Sequence, residues 1–417
     1  MPLSLWGAPR QSRPVIGFGT TRPAPSEVQG HRGLRACRKP PRPLVRRPTT
    51  RCPVSTAFRL FWLYLPEAPG IRAQSIQVVH SAHAMARAGH AVVLCVRASA
   101  PDATPATILG FYGLQPHPGL ELVVLPQART LASIQFRARF VRWCSKGGGV
   151  AIARSKRYAA EAARWCGSAF TLVLEAHEVD SVQAAERGED PSAYADLEGT
   201  VLRRSVGVVC NCEGTEALLR ATWPDCPPTR AIHNATHTER VRRPEGAGEG
   251  LVYAGSLLGV KAPHALADAA RALQEPVRVL GHAPDASLVE RSQGWLQGSP
   301  AVAHVDVPDQ LVQAEILLLP VGGGLFGTRL TSPLKLWDYL AVGRPIVAAD
   351  TPAIRDAADG VPRWFTPGDG ASLAEVIAAV RADAKWRSEA PLRAAGRLRT
   401  WDHRAAELGA FLAQVAP

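Results

Sequence analysis

From Arg59 onward the chain alternates short apolar runs with amphipathic stretches. "FRLFWLYL", "AVVLCV", "LELVVLP", "TLVLEAH", "VGVVCN" and "TRAIHN" are strand-sized runs without polar alternation, the signature of strands covered on both faces. Between them "AQSIQVVHSAHAMARAGH" and "SKRYAAEAARWCG" carry helical spacing. Strand–helix alternation predicts βαβ units and a parallel sheet. Residues 236–249 are polar, charged and rich in Gly and Pro, which reads as a linker. The alternation then restarts with "LVYAGS", "PVRVLG", "AVAHV", "EILLLP" and "PIVAAD". The expected fold class is therefore α/β, two Rossmann-like doubly wound domains facing across a cleft, 55–235 and 250–390. A last segment, 391–417, is expected to be a helix that crosses back to the first domain.

The charge changes this picture only at the start of the chain. The formal net charge is +12, but residues 1–60 hold 12 Lys and Arg against one acid, Glu27. The remaining 36 basic and 35 acidic residues nearly cancel, so the folded body has no footprint for nucleic acid. Residues 1–54 contain ten Pro and no apolar periodicity, and read as a disordered or artefactual tail. No apolar run approaches the roughly 20 residues that cross a bilayer. The eight cysteines form no C-x-x-C pair and no zinc-ribbon spacing, and several sit inside apolar strands. Buried free thiols and a reducing, cytoplasmic compartment follow as the expectation.

One stretch raises a chemical question. Gly322, Gly324 and Gly327 spell G-x-G-x-x-G after an apolar run, and Asp350 ends the next run. A dinucleotide fingerprint needs a helix that opens inside the glycine turn. Ser332 and Pro333 instead look like a helix start five residues later, with Ser as cap and Pro at the first helical position. Such a helix would aim its free amides and dipole at a phosphate, with Arg329 and Lys335 as cations. Asp338, one turn on, would hold vicinal ribose hydroxyls, while Gly322, Gly323 and Gly324 would let a ligand approach the backbone. These residues favour a phosphate ligand over nicotinamide.

The string "TSPLKLWDYLAVGRPIVAAD" resembles S-P-L-K-x-F-E-Y-M-A-x-G-x-P-I-V-A of the group-1, GT-B-fold glycosyltransferases. "ARAGHAVVLCV", "LEAHEVD", "IHNATHTERV", "LVYAGSLLGVK" and "FTPGDGASLAEVI" are similar to further family pieces, in family order, over roughly residues 57–415. The resemblance implies a retaining, metal-independent hexosyltransferase-type enzyme that uses a nucleoside-diphosphate sugar as substrate and needs no cofactor. It implies an acceptor-binding first domain and a donor-binding second one. Lys261, Lys335, Ser332, Pro333 and Leu334 would meet the donor diphosphate, Gly255 the close-approach turn, and Asp338, in place of the family's Glu, the ribose. Gly70 and Arg72, in "LPEAPGIRAQ", would lie near the same diphosphate. His177, with Glu175 beside it, would face the transferred sugar as the catalytic pair. Two departures stand out: Leu330 replaces a sugar-gripping Glu, and Ser256 a phosphate-binding Arg, for which Arg329 is the available substitute.

No D-x-D occurs, and two lysines, an arginine and a helix dipole are available to a leaving diphosphate without metal. His80 and His83, one turn apart, have no third ligand nearby in sequence and read as a packed or solvated helix face. Between Glu121 and Glu161 the chain has basic residues and no acid, with Phe136, Phe140, Val141 and Trp143 interleaved. That pattern, over 129–157, resembles a helix lying on the inner face of an anionic membrane and would suit a lipid-linked acceptor, alongside glycan or small-molecule acceptors. The alternatives are a silent relative that binds nucleotide or scaffolds, and a nucleotide-sugar epimerase.

Overall fold

The computed structural model describes residues 57–416 except 238–240, 258–260, 282–289, 291, 300 and 301, all within the unit Pro53–Pro417. The tail read as disordered or artefactual, 1–54, and part of the expected linker lie outside the described residues. The first sheet holds β1 (Arg59–Leu63), β2 (Glu67–Ala68), β3 (Ala91–Ala98), β4 (Leu120–Leu125), β5 (Val150–Ala153), β6 (Thr171–Ala176), β7 (Ser205–Cys210) and β8 (Thr229–Ala231). The second holds β9 (Leu251–Ala254), β10 (Val277–Leu280), β11 (Leu296–Gly298), β12 (Ile316–Leu319), β13 (Ile346–Ala349) and β14 (Arg363–Phe365).

Among the described residues every strand pairing is parallel. The first sheet runs β4-β3-β1-β5-β6-β7-β8, with β2 continuing the line of β1 along β3. The second runs β11-β10-β9-β12-β13-β14. Each sheet reverses direction of growth beside its first strand, the switch point where open α/β sheets bind ligands.

One strand expectation fails, for a local reason. "AVAHV" does not form a strand among its described residues: His304–Asp306 is a 3-10 turn that leads into a helix at Val307–Leu311. Pro308 opens that helix and has no N–H for a ladder. Conversely, β5 is only four residues long and follows Gly147, Gly148 and Gly149, all with positive φ. A Cβ on Gly148 would sit 2.0 Å from the Ala169 carbonyl oxygen, so only glycine threads this turn.

The helix Trp401–Val415 belongs to the first half in space. Trp401, Ala405, Leu408, Phe411 and Leu412 are buried in the same apolar core as Val78, Val79 and Met85 of the helix Ala73–Arg87. Thr400 starts it, its hydroxyl accepting from His403 N in a capping box. His80 and His83 are packed rather than solvated, both buried on the helix Ala73–Arg87.

Arg404 ties this helix to the sheet. It is 2 % exposed and donates to Glu175 at 2.5 Å, to the carbonyls of Ile232 and His233, and to Ser81 Oγ. Glu175 is equally buried. Burial would raise its pKa, but the Arg404 and Arg154 charges hold it well below the usual carboxylate range. A depressed carboxyl contributes stability that is present above its unfolded pKa, about 4.3, and lost as pH falls through the folded one. Removing one partner strands a buried charge. Arg404→Ala is therefore expected to lower urea-unfolding stability by about 3–5 kcal/mol at pH 7, and Arg404→Ala in a Glu175→Gln background by clearly less. Equal losses in both backgrounds would remove the pair from this account.

Candidate functional site

At the carboxyl end of β9 the chain turns through Gly255, φ 131°, where a Cβ would lie 2.6 Å from the Lys335 Nζ. Lys335 Nζ donates to the Tyr253 hydroxyl at 2.7 Å and stands 3.9 Å from the centre of its ring. Lys261 Nζ donates to Ser256 Oγ at 2.9 Å. Burial pushes both ammonium pKa values down, and the Lys261 charge lowers that of Lys335 further. Among the described residues no carboxylate acts on either lysine. Two desolvated lysines whose charges repel one another, with no protein counter-ion among the described residues, suit an anionic ligand. Ser256, in the place of the expected arginine, holds Lys261 rather than a ligand.

On the first sheet, His177 follows β6 and Arg154 follows β5, so both stand at the carboxyl edge. Arg154 donates to His177 Nε2 at 2.5 Å and to Gln77 Oε1 at 2.7 Å, and lies 5.7 Å from the Tyr64 ring centre. Burial and the Arg154 charge lower the His177 pKa to about 4. The ring is thus neutral at pH 7, and with Nε2 accepting from Arg154 its proton sits on Nδ1, as a donor. Glu175 lies 3.7 Å from His177 but is enclosed by Arg404 and Gln77. Both of those side chains donate to its Oε1, while its buried Oε2 accepts no hydrogen bond among the described residues.

Chain segments at the carboxyl edges of β7 and β8 meet the loop after β12. Asn211 Nδ2 donates to the Leu330 carbonyl at 2.9 Å. Ser332 is buried at this contact: its hydroxyl accepts from Asn234 N at 3.1 Å and its carbonyl from Asn234 Nδ2 at 2.6 Å. His233 Nδ1 lies 3.2 Å from the same hydroxyl, and its Nε2 is 2.6 Å from Glu213.

The expectation for Ser332 is corrected accordingly. It does not cap the helix Leu334–Val342, because its hydroxyl is turned to the first half, and Pro333 precedes the helix in extended backbone. Leu334 packs on the first half's core, and Lys335 in the first turn alone reaches the β9 turn.

Arg329 is exposed, and its carbonyl is within reach of Cys212 Sγ; it does not join the lysine pair. Leu330, in the place of the sugar-gripping carboxylate, is fully buried. Asp338 is not an open carboxylate: it is buried and accepts from Thr236 Oγ1 at 2.8 Å. Gly70 is likewise engaged, its N–H and carbonyl both bonded to the Tyr112 hydroxyl, while Arg72 is exposed and its charge acts on Tyr64.

The glycine question is answered by geometry. A helix does open in the glycine turn, at Gly324–Arg329, contrary to the sequence expectation, but it has six residues. Glu186 from the first half accepts from Leu325 N at 2.7 Å and fills its amino end. A Cβ on Gly324, φ 79°, would meet that carboxylate at 3.4 Å. Gly324 thus lies against the first half while Gly323 faces open space, and Asp350 pairs with Arg355 on the surface.

Sequence reasoning missed Arg154, Tyr64, Tyr253 and Glu186. The signal for Arg154 was its position one residue past a strand, hidden because β5 is so short. Among the described residues no group of three or more His, Cys, Asp or Glu is placed to hold a metal, and the cysteines described are free.

The fold is that of the GT-B glycosyltransferases. Residues 248–383 match the family model described as glycosyl transferases group 1. Sucrose-phosphate synthase from Thermosynechococcus elongatus is similar at 17% identity and TM-score 0.66, covering 85% of this chain and 98% of that one. HepE of Anabaena, solved with UDP and glucose, is similar at 16% identity and TM-score 0.63, covering 85% and 99%. WaaG, a glycosyltransferase involved in lipopolysaccharide biosynthesis, is similar at 12% identity and TM-score 0.61, covering 84% and 98%. No curated protein matches the sequence.

The lysine pair makes its own prediction. A lysine whose folded pKa lies below its unfolded value, about 10.4, binds protons more readily when unfolded, so its charge destabilises the fold until pH rises through that window. Lys335→Met is expected to raise the thermal midpoint of the ligand-free protein at pH 7 by about 1–3 °C. A lower midpoint would mean that Lys335 is there for structure.

Proposed function

We propose that this chain transfers a sugar from a nucleoside-diphosphate sugar to an acceptor hydroxyl, with retention and without a metal. The observation that carries the reading is the lysine pair, Lys261 and Lys335, desolvated and, among the described residues, without a counter-ion at the carboxyl end of β9. The group-1 match over 248–383 includes both lysines. The three similar structures are a sucrose-phosphate synthase, a protein with UDP and glucose, and a lipopolysaccharide glycosyltransferase, which supports the donor class.

In the proposed reaction the acceptor oxygen forms a bond to the anomeric carbon while the bond from that carbon to the diphosphate breaks. The acceptor proton leaves with the departing diphosphate. Lys261 and Lys335 carry the charge that develops on it, fixed cations in a dry turn being worth far more than in water. His177 acts through Nδ1–H as a neutral hydrogen-bond donor to a sugar hydroxyl, held in that tautomer by Arg154. Asp338 accepts from Thr236 through Oδ1 and, as a carboxylate, has further acceptor sites for the ribose hydroxyls in this reading. Retention rests on the group-1 resemblance.

The test is a thermal-shift screen of the full chain against UDP, GDP, ADP and dTDP, followed by transfer assays with the matching nucleotide sugars in EDTA. A ligand that binds only the folded state raises the midpoint. One nucleoside diphosphate should do so, with the shift lost in Lys335→Met; a silent screen would overturn the reading. Turnover should persist in EDTA, and NMR of the product should show the donor's anomeric configuration. His177→Ala should lower kcat about 10²–10³-fold, the usual effect of removing one preorganised donor. Its neutral ring also requires that the kcat profile show no inflection near pH 6.5. Nucleotide binding with no turnover, indifferent to His177→Ala, would identify a silent relative.

A further inference from the structure

The basic stretch after β4 folds as the helix Arg129–Ser145, and the side its aromatics take is decisive. Phe136, Phe140 and Trp143, expected at a membrane, are instead buried in the first half's core. Phe61 of β1 packs against all three rings. At 3.6 residues per turn the opposite face is Leu131, Ile134, Ala138, Val141 and Ser145. All five are exposed, Leu131 at 45%, Ile134 at 56% and Val141 at 43%. The helix thus has two apolar faces, and its core explains only one.

The flanks of the outer face carry charge. Arg137 is engaged, paired with Glu161 at 3.1 Å and lying over Trp165. On the other flank Arg139, Arg142 and Lys146 line a cleft of about 370 Å³ with Arg59 and Trp143. Arg59 donates to the Lys146 carbonyl at 2.7 Å, with its guanidinium 5.7 Å from the Trp143 ring centre. Glu121 is the one acid in the lining, 3.4 Å from Arg139. Four cations against one carboxylate leave an excess of positive charge beside an exposed apolar stripe. The cleft lies at the amino ends of β1 and β3, the sheet edge opposite His177 and Arg154.

We propose that this face is a docking surface for anionic phospholipid: a headgroup phosphate enters the cleft between Arg59, Arg139, Arg142 and Lys146, while Leu131, Ile134 and Val141 sink into the acyl boundary. Charge alone would suit a soluble anion. The adjoining apolar stripe selects the lipid, because a helix with an outward apolar strip bordered by Arg and Lys is what a bilayer interface takes. The surface goes beyond the proposed transfer reaction and does not depend on it.

The test is flotation of the full chain with vesicles of phosphatidylcholine alone or with about one third phosphatidylglycerol. The basic residues 1–60 also attract anionic vesicles, so the comparison is among variants that all keep them. R142Q/K146Q is expected to weaken partition onto the anionic vesicles roughly 30-fold, each basic side chain near such a surface being worth about fivefold. I134S should weaken it as well, which a purely electrostatic attraction would not. Neither variant touches the core, so melting curves should coincide with that of the parent chain. Partition unchanged in both variants would assign binding to the amino-terminal residues and overturn the proposal. So would loss in R142Q/K146Q of a thermal shift by inorganic phosphate with vesicle partition unaffected, since the cleft would then hold a soluble anion.

Discussion

The buried pair of Glu175 and Arg404 is the constraint from which the first half of the site is built. It joins the end of β6, the residues after β8 and the helix Trp401–Val415 through one guanidinium. Arg404 and Gln77 both donate to Glu175 Oε1, while Arg154 bonds His177 and Gln77 rather than the carboxylate. The charge order Arg404, Glu175, Arg154 then fixes the tautomer of His177 and keeps it uncharged. The last helix of the chain is thus part of the architecture that sets up a histidine more than two hundred residues earlier.

The second half stores its instability where the first half stores its order. Lys335 is carried by the first turn of a helix and pressed against Tyr253, with Lys261 as a repelling neighbour. A fold selected for stability alone would put an acid there. The group that compensates is expected to arrive with the ligand, which is the usual relation between a strained charge and a binding site. Between the halves, Asn234–Ser332 and Thr236–Asp338 are hydrogen bonds, strong in register and modest in energy, beside the apolar contact of Leu334.

The first sheet uses its two edges differently. Its carboxyl edge carries Tyr64, Arg154 and His177 at the end of short strands, as parallel sheets dictate. At its amino edge the helix Arg129–Ser145 buries Phe136, Phe140 and Trp143 and leaves a second apolar face outside. Sequence periodicity alone could not separate these faces, because aromatics and aliphatics both count as apolar in the pattern.

What the sequence determined by itself was local. Runs of apolar residues without alternation become parallel strands because both faces are covered, and "SPLKLWDYL" becomes a helix beside a cationic turn for reasons of spacing. Lys335 and His177 were legible because one sits at a helix start and the other at a strand end, and Lys261 through the group-1 resemblance. Tertiary structure decided what no spacing encodes. Whether Ser332 caps a helix or clasps Asn234, whether the glycine turn faces a phosphate or Glu186, and whether Asp338 is open or held by Thr236 depend on residues 90 to 140 positions away. A side-chain hydroxyl or carboxylate bonds whichever donor the fold brings within 3 Å, and that choice is made only when the two halves meet.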